Sequence, residues 1–104
     1  MEDEFSAQAE GKTIRITVNR GRMDAASAAK FKEAVATAWV EGLTTADVDM
    51  SRVEFIDSSG VGALLGVLRR LPQGDGGVVL RAMRPQVLSV IELLRLQKIF
   101  RIES

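Results

Sequence analysis

The segment from Val53 to Leu65 constrains the fold more than any other part of the chain. Val53, Phe55 and Ile56 form a short apolar run that reads as a buried strand, and it opens directly into Asp57-Ser58-Ser59-Gly60. Beyond that turn Val61, Ala63, Leu64, Leu65, Val67, Leu68 and Leu71 recur at helical spacing around much of the circumference, which predicts a strongly buried helix over 59–71. Two hydroxyls therefore sit where a helix N-terminus has free backbone N–H groups and the positive end of its dipole, so a side-chain oxygen or a phosphate can be held there. That position suits a cap, a switch or a nucleophile.

The remaining segments alternate strand and helix signals. Phe5, Ala7 and Ala9 alternate with polar residues and, after a turn at Glu10-Gly11-Lys12, Ile14, Ile16 and Val18 alternate with Thr13, Arg15 and Thr17, which predicts a hairpin with one wet face. Asp24 precedes an Ala-rich stretch in which Ala28, Phe31, Val35, Ala38 and Trp39 recur at helical spacing. It predicts a first helix over 25–41, with Gly42 as its stop and Trp39 in the core. Ala46 to Met50 alternates as a strand and turns at Ser51-Arg52; Pro72 and Gly74-Asp75-Gly76-Gly77 end the second helix. Val78-Val79-Leu80 gives another strand, and Pro85 opens a third helix with Val87, Leu88, Ile91 and Leu94 on its inner face. Ile99, Phe100 and Ile102 predict a last strand, at an exposed edge. This order calls for parallel β-α-β units. The polar alternation of Thr13, Arg15 and Thr17 favours an α/β fold with a mixed sheet of about five strands and its helices mainly on one face, over a doubly wound sheet.

A chain of 104 residues fits a single domain with one core. Fourteen basic and fourteen acidic residues cancel, and no Lys/Arg cluster exceeds a pair, which argues against direct binding of nucleic acid. Cysteine and histidine are both absent. Disulfides, Cys/His metal sites, thiol nucleophiles and Ser-His catalytic pairs are thereby excluded, and neither a metal, a cofactor nor a catalytic residue is expected. The first residues, Met1 to Phe5, are acidic where a signal peptide would be basic, and no apolar run reaches the roughly 18 residues of a membrane span. The expectation is a soluble cytoplasmic protein with no membrane association.

Taken alone, Asp57-Ser58-Ser59-Gly60 has a purely local reading as an N-cap and tight turn, with Gly60 allowing two backbones to approach. A nucleophilic serine fares worse, because no histidine exists to take its proton and the Gly-x-Ser-x-Gly elbow is missing. Gly60-x-Gly62 lacks the third glycine of a nucleotide fingerprint, and its glycines follow the hydroxyls where a phosphate cradle would want them before the helix.

Val48-Asp49-Met50-Ser51 followed by Val53-Glu54-Phe55-Ile56-Asp57-Ser58-Ser59-Gly60-Val61-Gly62-Ala63-Leu64-Leu65 resembles the signature of STAS domains, in particular the bacterial anti-sigma-factor antagonists. Gly21-Arg22-Met23-Asp24-Ala25, with Ala28 and Phe31 after it, resembles the family's second marker, a Gly-x-Leu-Asp turn in which Met23 stands for leucine. The likeness runs in order along nearly the whole chain. It implies a non-enzymatic domain that binds an anti-sigma factor which is also a serine kinase. The kinase phosphorylates the first serine of the motif, here Ser58, and so breaks the complex; a metal-dependent serine phosphatase restores it. Asp24, Asp57, Ser58, Ser59 and Gly60 are then expected in one partner-binding patch, with Val61 and Leu64 as its apolar part. Each has a structural alternative: Asp24 and Ser59 as caps, Val61 and Leu64 as core. A monomer or weak dimer is expected. The competing reading is a STAS adaptor subunit of a signalling scaffold or transport complex with no role in sigma-factor control.

Overall fold

The computed structural model describes residues 4–74 and 76–104. The acidic start at Met1 to Asp3, and Asp75 of the glycine loop, lie outside the described residues.

Among the described residues, strands β1 (Phe5–Glu10), β2 (Thr13–Val18), β4 (Thr45–Asp49), β6 (Gly77–Arg81) and β7 (Arg101–Glu103) form a five-stranded sheet in the order β1-β2-β4-β6-β7. The β1–β2 hairpin is antiparallel and every other neighbouring pair is parallel, so the sheet is mixed and grows in chain order from the hairpin outward. Helices α1 (Ala25–Ala38), α2 (Ser58–Arg70) and α3 (Pro85–Leu93) supply the crossovers. The residues between β2 and α1 and those before α2 contribute β3 (Arg22–Met23) and β5 (Phe55–Ile56), which pair in parallel as a separate two-stranded ladder.

The period-two alternation decides which face is covered. Ile14, Ile16 and Val18 of β2, Ala46 and Val48 of β4, and Val78 and Leu80 of β6 are all buried beneath the helices. Phe31 and Val35 of α1, Val61, Leu64 and Val67 of α2, and Val87 and Ile91 of α3 complete that core, with the rings of Phe5 and Phe31 edge-to-face at 5.5 Å. On the opposite face Arg81 forks onto Asp47 at 2.7 and 3.1 Å and reaches Glu103 at 3.1 Å, tying β4, β6 and β7 together with charges rather than apolar groups. Apart from the buried Val79, that face of the sheet is polar, as Thr13, Arg15 and Thr17 anticipate.

Several boundaries differ from the sequence reading. α1 ends at Ala38, short of residue 41, because Trp39 turns into extended geometry (φ −68°, ψ 133°) and lays its ring half-buried under the Arg70 guanidinium, 4.4 Å away; Gly42 (φ 93°) serves the turn after the helix. Val53 to Ile56 is no strand of the main sheet. Val53 and Ile56 point inward, Phe55 is 39% exposed, and only Phe55 and Ile56 make ladder contacts, with β3. Leu94 caps α3 and is 51% exposed, so it does not line the inner face; the last strand starts at Arg101, after a single 3-10 turn at Leu96–Lys98 that exposes Ile99 and buries Phe100.

Candidate functional site

The small β3–β5 ladder builds the site. Arg22 pairs with Phe55 and Met23 with Ile56, so the next residue on each strand, Asp24 and Asp57, emerges beside the other; the Asp57 N–H donates to the Met23 carbonyl at 3.2 Å. Each aspartate then caps a helix. The ladder is anchored upstream where Gly21 accepts from the N–H groups of Glu54 and Phe55 at 2.7 and 3.0 Å. Two helix N-termini and two carboxylates are thus brought to one rim of the molecule by a ladder only two residues long on each side.

Asp57 is the N-cap of α2, and its Oδ1 accepts from the backbone N–H groups of Ser59 at 2.9 Å and Gly60 at 3.1 Å. Its carbonyl takes the Val61 N–H at 2.9 Å. Ser58, the first residue of the helix, is exposed, and neither its hydroxyl nor its N–H has a partner among the described residues. Ser59 is half-buried and Gly60 is buried. Gly60 has a steric reason to be glycine: a Cβ there would lie 2.3 Å from the Met23 carbonyl oxygen and 2.8 Å from Ile56 Cγ1. The close approach of α2 to β3 depends on that missing atom.

Asp24 is the N-cap of α1, with buried Ser27 (1% exposed) reaching back so that its Oγ accepts the Asp24 N–H at 3.0 Å. Arg22 donates from Nε to Asp24 Oδ2 at 3.2 Å while its guanidinium lies 4.1 Å from the Phe55 ring centroid. The Arg22 hydrogen bond, partly offset by desolvation and helped by Ser27 and Arg20, holds the Asp24 carboxyl below the usual carboxylate range.

Of the residues singled out from sequence, Asp24, Asp57, Ser58 and Ser59 meet at this rim, and Gly60 lies just beneath it as packing. Val61 and Leu64 do not join them. They are 5% and 0% exposed and face the sheet, so the apolar part of the patch assigned to them is corrected to core. The exposed apolar group at the rim is Phe55, with Arg22 stacked on it; sequence reasoning passed over both because Phe55 lies in an apolar run and Arg22 at the variable position of its motif. Ser27 was likewise missed, although its position three residues after Asp24 is the spacing of a capping box. Among the described residues no group of three or more His, Cys, Asp or Glu could hold a metal ion, and no helix is long and apolar enough to cross a membrane.

Known proteins share this fold. An anti-sigma-B factor antagonist from Listeria monocytogenes is 29% identical over 84 residues, covering 81% of this chain and 74% of that protein. The structure of the Bacillus cell-fate determinant SpoIIAA in its phosphorylated form is 26% identical, with a TM-score of 0.69 and coverage of 96% of this chain and 91% of that one. A crystal structure of a Thermotoga maritima protein is 23% identical with a TM-score of 0.82, over 96% of this chain and 86% of the other, and shares the fold. The family model described as Mlab, STAS domain matches residues 5–102, and the chain belongs to the STAS domain family.

Proposed function

We propose that this protein is an anti-sigma-factor antagonist in a partner-switching pathway, a regulatory protein rather than an enzyme, working in the cytoplasm. In this reading its unphosphorylated form binds an anti-sigma factor that is also a serine kinase, and phosphorylation of Ser58 ends the complex until a serine phosphatase removes the group. One observation carries the reading. Ser58 is the exposed first residue of a core helix, its hydroxyl is uncommitted, and it stands beside two carboxylates on a rim that also offers Phe55. SpoIIAA, a relative over most of the chain, occurs in a phosphorylated form.

The local charges supply the switch. A phosphate on Ser58 adds roughly −1.5 to −2 charge at neutral pH. The helix N-terminus would ordinarily absorb much of it, but Asp57 already holds the Ser59 and Gly60 N–H groups. Added charge therefore stays at the surface beside Asp24 and Asp57, in the middle of the face that meets the partner. A loss of about 3 kcal/mol in binding weakens a complex by about two orders of magnitude, which is within reach of one buried, unpaired anion.

The test is phosphate mapping by mass spectrometry on protein purified from its native cells under several growth and stress conditions, paired with capture of binding partners by the wild-type protein and by Ser58→Ala and Ser58→Asp. Condition-dependent phosphate on Ser58, with a kinase-like partner retained by Ser58→Ala and lost by Ser58→Asp, supports the antagonist. An unmodified Ser58 under all conditions, with transport or scaffold proteins captured equally by all three, favours the adaptor reading.

A further inference from the structure

β7 is the last strand on its side of the sheet, and its outer edge carries no neighbouring strand among the described residues. From the β6 side the Ala82 N–H donates to the Glu103 carbonyl at 2.9 Å. Backbone groups of successive strand residues point to alternate sides, so Arg101 and Glu103 bond toward β6, while the N–H and C=O of Ile102 between them point outward. Neither a proline nor a bulge blunts this edge, and the register against β6 runs unbroken over all three residues.

The order of the side chains says what fits there. Glu103 lies level with Arg81 on the charged face and is held by it at 3.1 Å; Arg101 shares that face, and Ile102, level with Leu80, is half-buried on the helical face. A second β7 laid antiparallel about a two-fold axis at Ile102 sets Arg101 of each copy opposite Glu103 of the other. It also brings each Ile102 beside its counterpart, where the outward N–H and C=O groups of both close two hydrogen bonds. The adjacent registers are unfavourable: an axis at Arg101 opposes two arginines, and an axis at Glu103 opposes two glutamates. We propose that this chain forms a two-fold symmetric dimer through antiparallel pairing of β7, joining two five-stranded sheets into one. The seam is three residues long on each copy, with Ile99 exposed just ahead of it. That is far less than the roughly 800 Å² per partner of a stable complex, so the dimer is transient, with a Kd on the order of 0.1 mM. β7 runs parallel to β4 and β6, and the crossover helices start where the strands end, so an antiparallel seam carries the two Ser58 rims to opposite ends of the joined sheet. The dimer therefore leaves Ser58 accessible and does not rest on the function proposed above.

The experiment follows the intact protein from tens of micromolar to about 1 mM, reading mass by sedimentation equilibrium and the Ile102 amide by NMR. The mass of the wild-type protein should climb from monomer toward dimer, with the amides of Ile102 and its neighbours among those that shift most. Arg101→Glu and Glu103→Arg each place like charges across the seam and should each weaken association by about tenfold. An equimolar mixture of the two variants restores opposite charges at both positions and should associate as the wild-type protein does. If Glu103→Arg, which also gives up the Arg81 contact, melts abnormally, Ile102→Pro takes its place: it removes the outward N–H, leaves the bonds to β6, and should abolish association. The proposal is overturned by a monomer throughout the range, by association indifferent to these variants, or by association that leaves the Ile102 amide unmoved. None of these outcomes depends on whether Ser58 is phosphorylated.

Discussion

Gly60 and Gly66 stand fewer than two turns apart on the same helix, and the surroundings of their absent side chains are opposite. At Gly60 the space is occupied by the Met23 carbonyl oxygen and Ile56; at Gly66 it is empty. Gly60→Ala should therefore push α2 away from the β3–β5 ladder and destabilise the fold by about 1–3 kcal/mol, whereas Gly66→Ala should stabilise it by up to about 1 kcal/mol through helix propensity alone. Denaturant titration of the two variants beside the wild-type protein measures both signs. Asp24 gives a prediction in pH. The folded protein holds its carboxyl below the ordinary value of 3.8, chiefly through Arg22, so the charged form is favoured by folding. The associated stability is complete above the ordinary value and is lost as pH falls through the lowered one. Arg22→Gln should move the Asp24 titration upward toward 3.8, read from the side-chain carboxyl signal by NMR.

The elements differ in how openly the sequence announces them. Strand β2 is plain because Ile14, Ile16 and Val18 alternate over a full strand, and α2 is plain because its apolar residues keep helical spacing from Val61 to Leu68. The end of α1 is hidden: Trp39 and Val40 continue an apolar pattern, and only the stacking of Arg70 on Trp39, a contact between distant residues, shows why the chain leaves the helix at Ala38. The β3–β5 ladder is hidden for another reason. Two residues carry no period, and yet this ladder sets Asp24 beside Asp57. The site was thus legible as a motif and illegible as a geometry: Ser58 could be picked out and the helical spacing already offered Val61 and Leu64 as core, while the company of Phe55 and Arg22 required the fold. Ser27 tests the element directly. Removing its hydroxyl in Ser27→Ala takes the partner from the Asp24 N–H and should cost about 1–2 kcal/mol, with hydrogen exchange at the first turn of α1 rising before the rest of the helix.

At the scale of the whole molecule, 35 × 33 × 22 Å in extent, Ser58 lies on a rim of the helical layer and the charged sheet face on the opposite side. Phosphate on Ser58 should leave this architecture intact. Protein carrying phosphoserine at position 58 is expected to melt close to the unmodified form, with hydrogen-exchange differences confined to the neighbourhood of residues 21–24 and 54–60, and partner affinity lower by about a hundredfold. Widespread exchange differences would point to refolding and count against a surface-charge switch. The placement of Ser58 in the first turn of a helix clamped by the core also bears on whatever enzyme modifies it. Such an enzyme cannot draw the serine out as an extended peptide without unravelling α2, so it must read the domain in three dimensions, and an isolated peptide spanning 53–65 should be a poor substitute for the folded protein.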